Sequence, residues 1–126
     1  MGGLIRLLLV EDNDVYRESL VFLLRRYEGL EVVGTVADGG SAARACAELG
    51  ADVVVIDYRL PDVDGAEAAA EVRERCPEAS IVFLSASVGP EALHAACRSG
   101  APLVRKDQGL GALVDAVREA AERSGA

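Results

Sequence analysis

Lysine is almost missing from this chain. Of its 13 basic residues only Lys106 is a lysine, and the others are arginine. An ammonium is a compact point charge that a planar guanidinium does not replace, so a single lysine placed just after an apolar run points to a chemical need for it. Histidine also occurs once, as His94. Cysteine occurs three times, at the widely spaced Cys46, Cys76 and Cys97, with no CxxC pair. An odd number of scattered thiols with one imidazole excludes a zinc site of ordinary spacing and a disulfide framework, leaving reduced thiols. The glycine patterns GxGxxG and GxxxxGK[ST] are absent, and with them the usual dinucleotide and nucleoside triphosphate cradles.

Long apolar runs are lacking as well. No stretch approaches the roughly 20 residues that cross a bilayer. The start, Met1-Gly2-Gly3-Leu4, has neither the charged segment nor the apolar segment of a secretory signal. The expectation is a cytoplasmic protein with no membrane partner. Basic clusters are missing too, and a formal net charge of -8 excludes direct nucleic acid binding, which needs grouped Lys and Arg against phosphates. A length of 126 residues suits one domain, residues 1–126, with one core.

What is present is a set of short apolar runs, four of which lead to particular polar residues. Ile5 to Val10 precedes Glu11-Asp12, Val53 to Ile56 precedes Asp57, Ile81 to Leu84 precedes Ser85, and Leu103-Val104 comes shortly before Lys106. Runs of β-branched and aliphatic residues bounded by polar stretches predict buried strands. Leu30 to Val36 adds a fifth, with Glu31 and Thr35 suggesting a sheet edge. Between them lie stretches of helical period. The first starts at Asn13 or Asp14 and carries Tyr16, Leu20, Leu23, Leu24 and Tyr27 on one stripe; Ser41 caps a second that Gly50 closes. A third runs from Ala66 to Arg75, a fourth from Pro90 to Arg98, and a last carries Leu110, Leu113, Val114, Val117 and Ala121. Five strands alternating with five helices predict a doubly wound α/β domain, a parallel sheet covered on both faces.

In a parallel sheet the four polar strand endings share one edge, the edge at which open α/β sheets bind ligands. Glu11, Asp12 and Asp57 would crowd there, and like carboxylates at close range do not all stay ionised without a cation. A hard divalent ion such as Mg²⁺ resolves the conflict and recruits a phosphoryl group. Lys106 then supplies positive charge and Ser85 a hydroxyl donor to phosphate oxygens, which leaves Asp57 as the nucleophile that forms an acyl phosphate. Taken singly, each residue has an ordinary reading as a cap or turn. Four matches in order at successive strand ends carry the argument.

The whole chain, residues 4 to 122, resembles the receiver domain of two-component response regulators. The resemblance rests on the acidic pair in LLLVEDNDVYRESL, the aspartate in VVVIDYRLPDVDG, the serine in IVFLSAS and the lysine in SGAPLVRKD. The segment LEVVGTVADGGSA is most similar to receivers that precede LuxR-type (NarL/FixJ-like) DNA-binding domains. The resemblance implies a flavodoxin-like (CheY-like) fold with strand order 2-1-3-4-5. It implies Asp57 as phosphoacceptor, a Mg²⁺ pocket of Glu11, Asp12, Asp57 and the backbone carbonyl of Arg59, and Ser85 and Lys106 on the phosphoryl group. The implied partners are a histidine kinase or phosphotransfer protein and a possible homodimer, with DNA reached only through another module. The implied chemistry is limited to the domain's own phosphorylation and dephosphorylation.

Three features depart from the family pattern. Leu103 stands where most members carry the Tyr or Phe that follows the serine as a rotamer switch. The segment before it is one residue shorter and contains Pro102, and Asp107 replaces the proline many members have after the lysine. A phosphorylation-independent interaction module is the alternative that Leu103 suggests. A haloacid-dehalogenase-like phosphatase is excluded by Arg59, because that chemistry needs an acid two residues after the nucleophile.

Overall fold

The computed structural model describes residues 3–60, 62–86, 94, 96, 98 and 100–124. Five strands, β1 (Ile5–Val10), β2 (Leu30–Val36), β3 (Val53–Asp57), β4 (Ser80–Ser85) and β5 (Leu103–Arg105), form one sheet in the order β2-β1-β3-β4-β5. Every neighbouring pair is parallel. The helices described in full are α1 (Asp14–Leu24), α2 (Ala42–Leu49), α3 (Gly65–Arg75) and the C-terminal helix α4 (Leu110–Ser124). Of the helix expected from Pro90 to Arg98, His94, Ala96 and Arg98 are helical; its remaining residues lie outside those described, as do Ser87 and Cys97.

Alternation along each central strand sorts the core into two layers. Leu8, Val10, Val54, Ile56, Ile81 and Phe83 point to one face, where they meet Ala42, Ala43 and Cys46 of α2 and Ala68, Ala69 and Val72 of α3. Leu7, Leu9, Val53, Val55, Val82 and Leu84 point to the other, against Leu20 and Leu24 of α1 and Leu113, Val114, Val117 and Ala120 of α4. Apolar side chains on both faces are what a strand covered on both sides requires. Burying each Val or Leu is worth about 1.5–3 kcal/mol, a gain that offsets the cost of the polar groups at the strand ends.

The element boundaries follow local chemistry. Asn13 caps α1, its side chain accepting the Tyr16 N–H at 2.9 Å, and Asp64 caps α3 by accepting the Glu67 N–H at 2.8 Å. Helix α1 stops at Leu24, one turn before Tyr27, and α3 begins at Gly65. Ser41 makes no side-chain cap for α2, contrary to expectation. The cap moves three residues upstream, where Asp38 accepts the Ser41 N–H at 2.8 Å and opens a short 3-10 turn, Gly39–Ser41. Asp62 reinforces that turn by accepting the Gly39 and Gly40 N–H groups at 2.9 and 2.8 Å. Strand β5 is short, as Pro102 implied. It pairs Leu103 with Phe83 and is preceded by the Pro102 carbonyl, which accepts the Phe83 N–H at 2.9 Å.

Gly65 sits where the loop after β3 turns back on itself, its N–H donating to the Tyr58 carbonyl at 2.8 Å. A Cβ there would lie 2.7 Å from the Tyr58 Cα, and backbone cannot yield as a side chain can. Gly65→Ala should destabilise the fold by about 2 kcal/mol in urea unfolding. Gly111→Ala, at a helical position where a Cβ meets nothing within 4 Å, should instead stabilise by about 0.5 kcal/mol.

Candidate functional site

Strand order and register bring the polar strand endings together. β1 pairs with β3 up to Val10 and Ile56, so Glu11 and Asp12 leave the sheet beside Asp57. β3 pairs with β4 through Asp57 and Leu84, and β4 with β5 through Ser85 and Arg105, which puts Ser85 and Lys106 at the same edge. Among the described residues Glu11, Asp57 and Ser85 are the buried polar ones, with Glu11 only 2% exposed. Asp12 is exposed. One carboxylate oxygen from each of Glu11, Asp12 and Asp57 lies within 4.8 Å of the others.

Lys106 is the cation that faces this cluster. Its Nζ is 2.9 Å from Glu11 Oε1 and 3.3 Å from Asp57 Oδ2, and it lies 4.3 Å from the centroid of the Tyr16 ring. The other oxygens are held by backbone: Asp57 Oδ1 accepts the Arg59 N–H and Glu11 Oε2 the Asn13 N–H, both at 3.1 Å. Glu11 Oε1 is fully buried and, beyond the charge of Lys106, has no hydrogen bond of regular geometry.

Burial pushes the Glu11 carboxyl above its ordinary pKa; Lys106 and the Asn13 N–H oppose the rise and Asp57 adds to it. For Lys106 burial acts downward, but the close ion pair with Glu11 and the charge of Asp57 outweigh it, so its pKa is raised. Burial likewise raises the Tyr16 phenol, against the pull of Lys106. The ammonium is thus held charged by the acids it neutralises. Three hard oxygen donors, one from each of Glu11, Asp12 and Asp57, fit a hard divalent cation with part of its water shell.

The expected residues therefore divide. Glu11, Asp12, Asp57 and Lys106 meet in space. Ser85 is buried at the adjoining strand end. Arg59 touches Asp57 through its backbone N–H while the residue itself is exposed. Leu103 is half-buried and packs against the α2–α3 layer of the core. Tyr16 falls by periodicity on the apolar stripe of α1, and no local pattern points to its contact with Lys106.

Residues 7–118 match the response regulator receiver domain family. The chain belongs to that family. It is 31% identical over 119 residues to the probable transcriptional regulatory protein NarL of Mycobacterium tuberculosis, covering 94% of this chain and 55% of that protein. It is 30% identical over 119 residues to the response regulator protein VraR of Staphylococcus epidermidis, covering 94% and 57%. The chain thus spans little more than half the length of these relatives. The solved receiver domain of the M. tuberculosis NarL superposes with a TM-score of 0.87 at 30% identity, covering 95% of this chain and 98% of that one. Among the described residues no helix is long and apolar enough to cross a membrane.

Removing the Lys106 charge leaves Glu11 and Asp57 facing each other. Lys106→Met in metal-free protein should cost about 2 kcal/mol near neutral pH, less than a fully buried pair because Lys106 keeps some solvent contact. A carboxyl whose folded pKa is raised contributes stability below its ordinary pKa and loses it as pH rises through the folded value. Without Lys106 the Glu11 pKa climbs further, so the deficit should shrink at mildly acid pH, as urea unfolding at both pH values will test.

Proposed function

We propose that Asp57 accepts a phosphoryl group from the phosphohistidine of a histidine kinase or phosphotransfer protein, and that the receiver then changes its partner-binding surface. The observation that carries this is a buried aspartate at the end of a central strand, set between two further carboxylates and the chain's only lysine. An Asp57 carboxylate oxygen attacks phosphorus; the new O–P bond forms as the P–N bond breaks, and its electron pair returns to the donor imidazole. Lys106 follows the charge from the carboxylate to a phosphoryl oxygen, and Ser85 donates its hydroxyl hydrogen to another. Glu11, Asp12, Asp57 and the Arg59 carbonyl are the groups that would hold Mg²⁺, which when bound offsets the charge of the phosphoryl oxygens.

Hydrolysis of the acyl phosphate ends the signal, and the chemistry stops at the domain's own phosphorylation and dephosphorylation. With a net charge of -8 the domain has no affinity of its own for DNA, which it would influence only through another module. The setting is cytoplasmic, where kinases of this type transfer their phosphoryl groups. A homodimer is one possible output.

One observation favours a second reading, assembly without phosphorylation. Leu103 packs into the core beside Phe83, and a leucine cannot swing between inward and outward aromatic positions. Acetyl phosphate with Mg²⁺ should add one phosphoryl group by intact mass, and Asp57→Asn should take none. Asp12→Ala or a chelator should slow the reaction by at least tenfold; equal rates with and without the ion would exclude the metal role. Beryllofluoride should shift sedimentation only modestly in the unaltered protein and more in Leu103→Tyr. A large shift with Leu103 in place would remove that residue as a restraint on the switch.

A further inference from the structure

Lys106 has partners on two sides. Glu11 and Asp57 take one side of the ammonium, and the face of the Tyr16 ring takes another at 4.3 Å, well inside the range at which a cation is attracted to an aromatic face. The ring is placed by the same turn that fixes Glu11. The Asn13 N–H donates to Glu11 Oε2 at 3.1 Å, and the Asn13 side chain accepts the Tyr16 N–H at 2.9 Å. Tyr16, Leu84, Lys106, Leu110 and Leu113 are also among the residues lining a half-open cavity of about 130 Å³. A flexible lysine stem beside open volume is not held by its neighbours' bulk, so direction must come from interactions at its charged end.

We infer that Tyr16 is a positioning residue for phosphoryl transfer: the face of its ring holds the Lys106 ammonium against the Glu11 and Asp57 carboxylates and limits its swing into the cavity. The consequence for transfer rests on the phosphoacceptor reading of Asp57, whereas the contact does not. A ring with no charge of its own suits the task. It attracts the ammonium without offering a carboxylate-like acceptor, so N–H donors remain for carboxylate and phosphoryl oxygens.

Because Lys106 is the only lysine, protein grown on ¹³C-lysine gives one set of side-chain signals, and protons held over a ring face are shifted upfield. The Lys106 ε-protons should lie upfield of free lysine in the unaltered protein and in Tyr16→Phe, and return to the free value in Tyr16→Leu. A free-lysine position in the unaltered protein overturns the contact and requires no variant to fold. With acetyl phosphate and saturating Mg²⁺, Tyr16→Leu should phosphorylate on the order of threefold to tenfold more slowly, and Tyr16→Phe should restore the rate. Equal losses in both variants overturn the role of the ring. A protein that shows the upfield signals but accepts no phosphoryl group overturns the Asp57 reading, and the role of Tyr16 with it, while the contact stands.

Discussion

The arrangement depends on a single ammonium serving two buried carboxylates. Glu11 is 2% exposed and Asp57 7%, and a carboxylate taken out of water costs several kcal/mol unless charge and hydrogen bonds replace the solvent. Lys106 meets both within 3.3 Å, and backbone N–H groups from Asn13 and Arg59 take the remaining oxygens. The compensation is incomplete, because Glu11 Oε1 has charge near it but no regular hydrogen bond. An edge left partly uncompensated has an appetite for further positive charge.

That requirement reaches back into the fold. The two acidic strands must be neighbours, which the order β2-β1-β3-β4-β5 achieves by setting β1 beside β3, and the lysine must arrive from the same direction, which parallel pairing of β5 ensures. A parallel sheet demands cover on both faces, and the strands that carry the site have almost no polar residue before their final position. Alanine-rich α2 and α3 cover one face and leucine- and valine-bearing α1 and α4 the other. The apolar sheet therefore does two jobs at once, providing the stability that the charged edge lacks and fixing strand ends rigidly enough to hold carboxylates within 4.8 Å.

Most of this was legible because it is written in local pattern. Strand positions follow from short β-branched runs and agree with the structure to within one residue, and of the polar residues that end or follow those runs, Glu11, Asp12, Asp57 and Lys106 meet in space. What the sequence hid are choices decided by distant partners. Ser41 is a better-placed N-cap than Asp38 by position alone, yet Asp62 binds the Gly39 and Gly40 N–H groups from 23 and 22 residues away and stabilises the earlier turn. Tyr16 shares its spacing with the apolar stripe of α1, and nothing in helical period separates a core tyrosine from one whose ring faces a cation just past β5. In both places a tertiary contact outweighed a local preference.

Leu103 shows how a site and its readout separate. Glu11, Asp12 and Asp57 follow the central strands β1 and β3 or end them, and the whole core defends the register of those strands, so their geometry has little freedom to drift. Leu103 lies on a three-residue edge strand, opposite Phe83 and directly after Pro102, and its half-buried side chain belongs to the α2–α3 layer. A branched aliphatic chain in a packed layer has few rotamers that avoid either a clash or a void. Under the phosphoacceptor reading, movement of Ser85 would have to be felt through that layer as a shift of packing, because no aromatic ring changes sides at this position. Packing shifts of that kind are small unless two arrangements of the layer are nearly equal in free energy. The chemistry of this receiver is therefore more firmly built into its sequence than the size of its response.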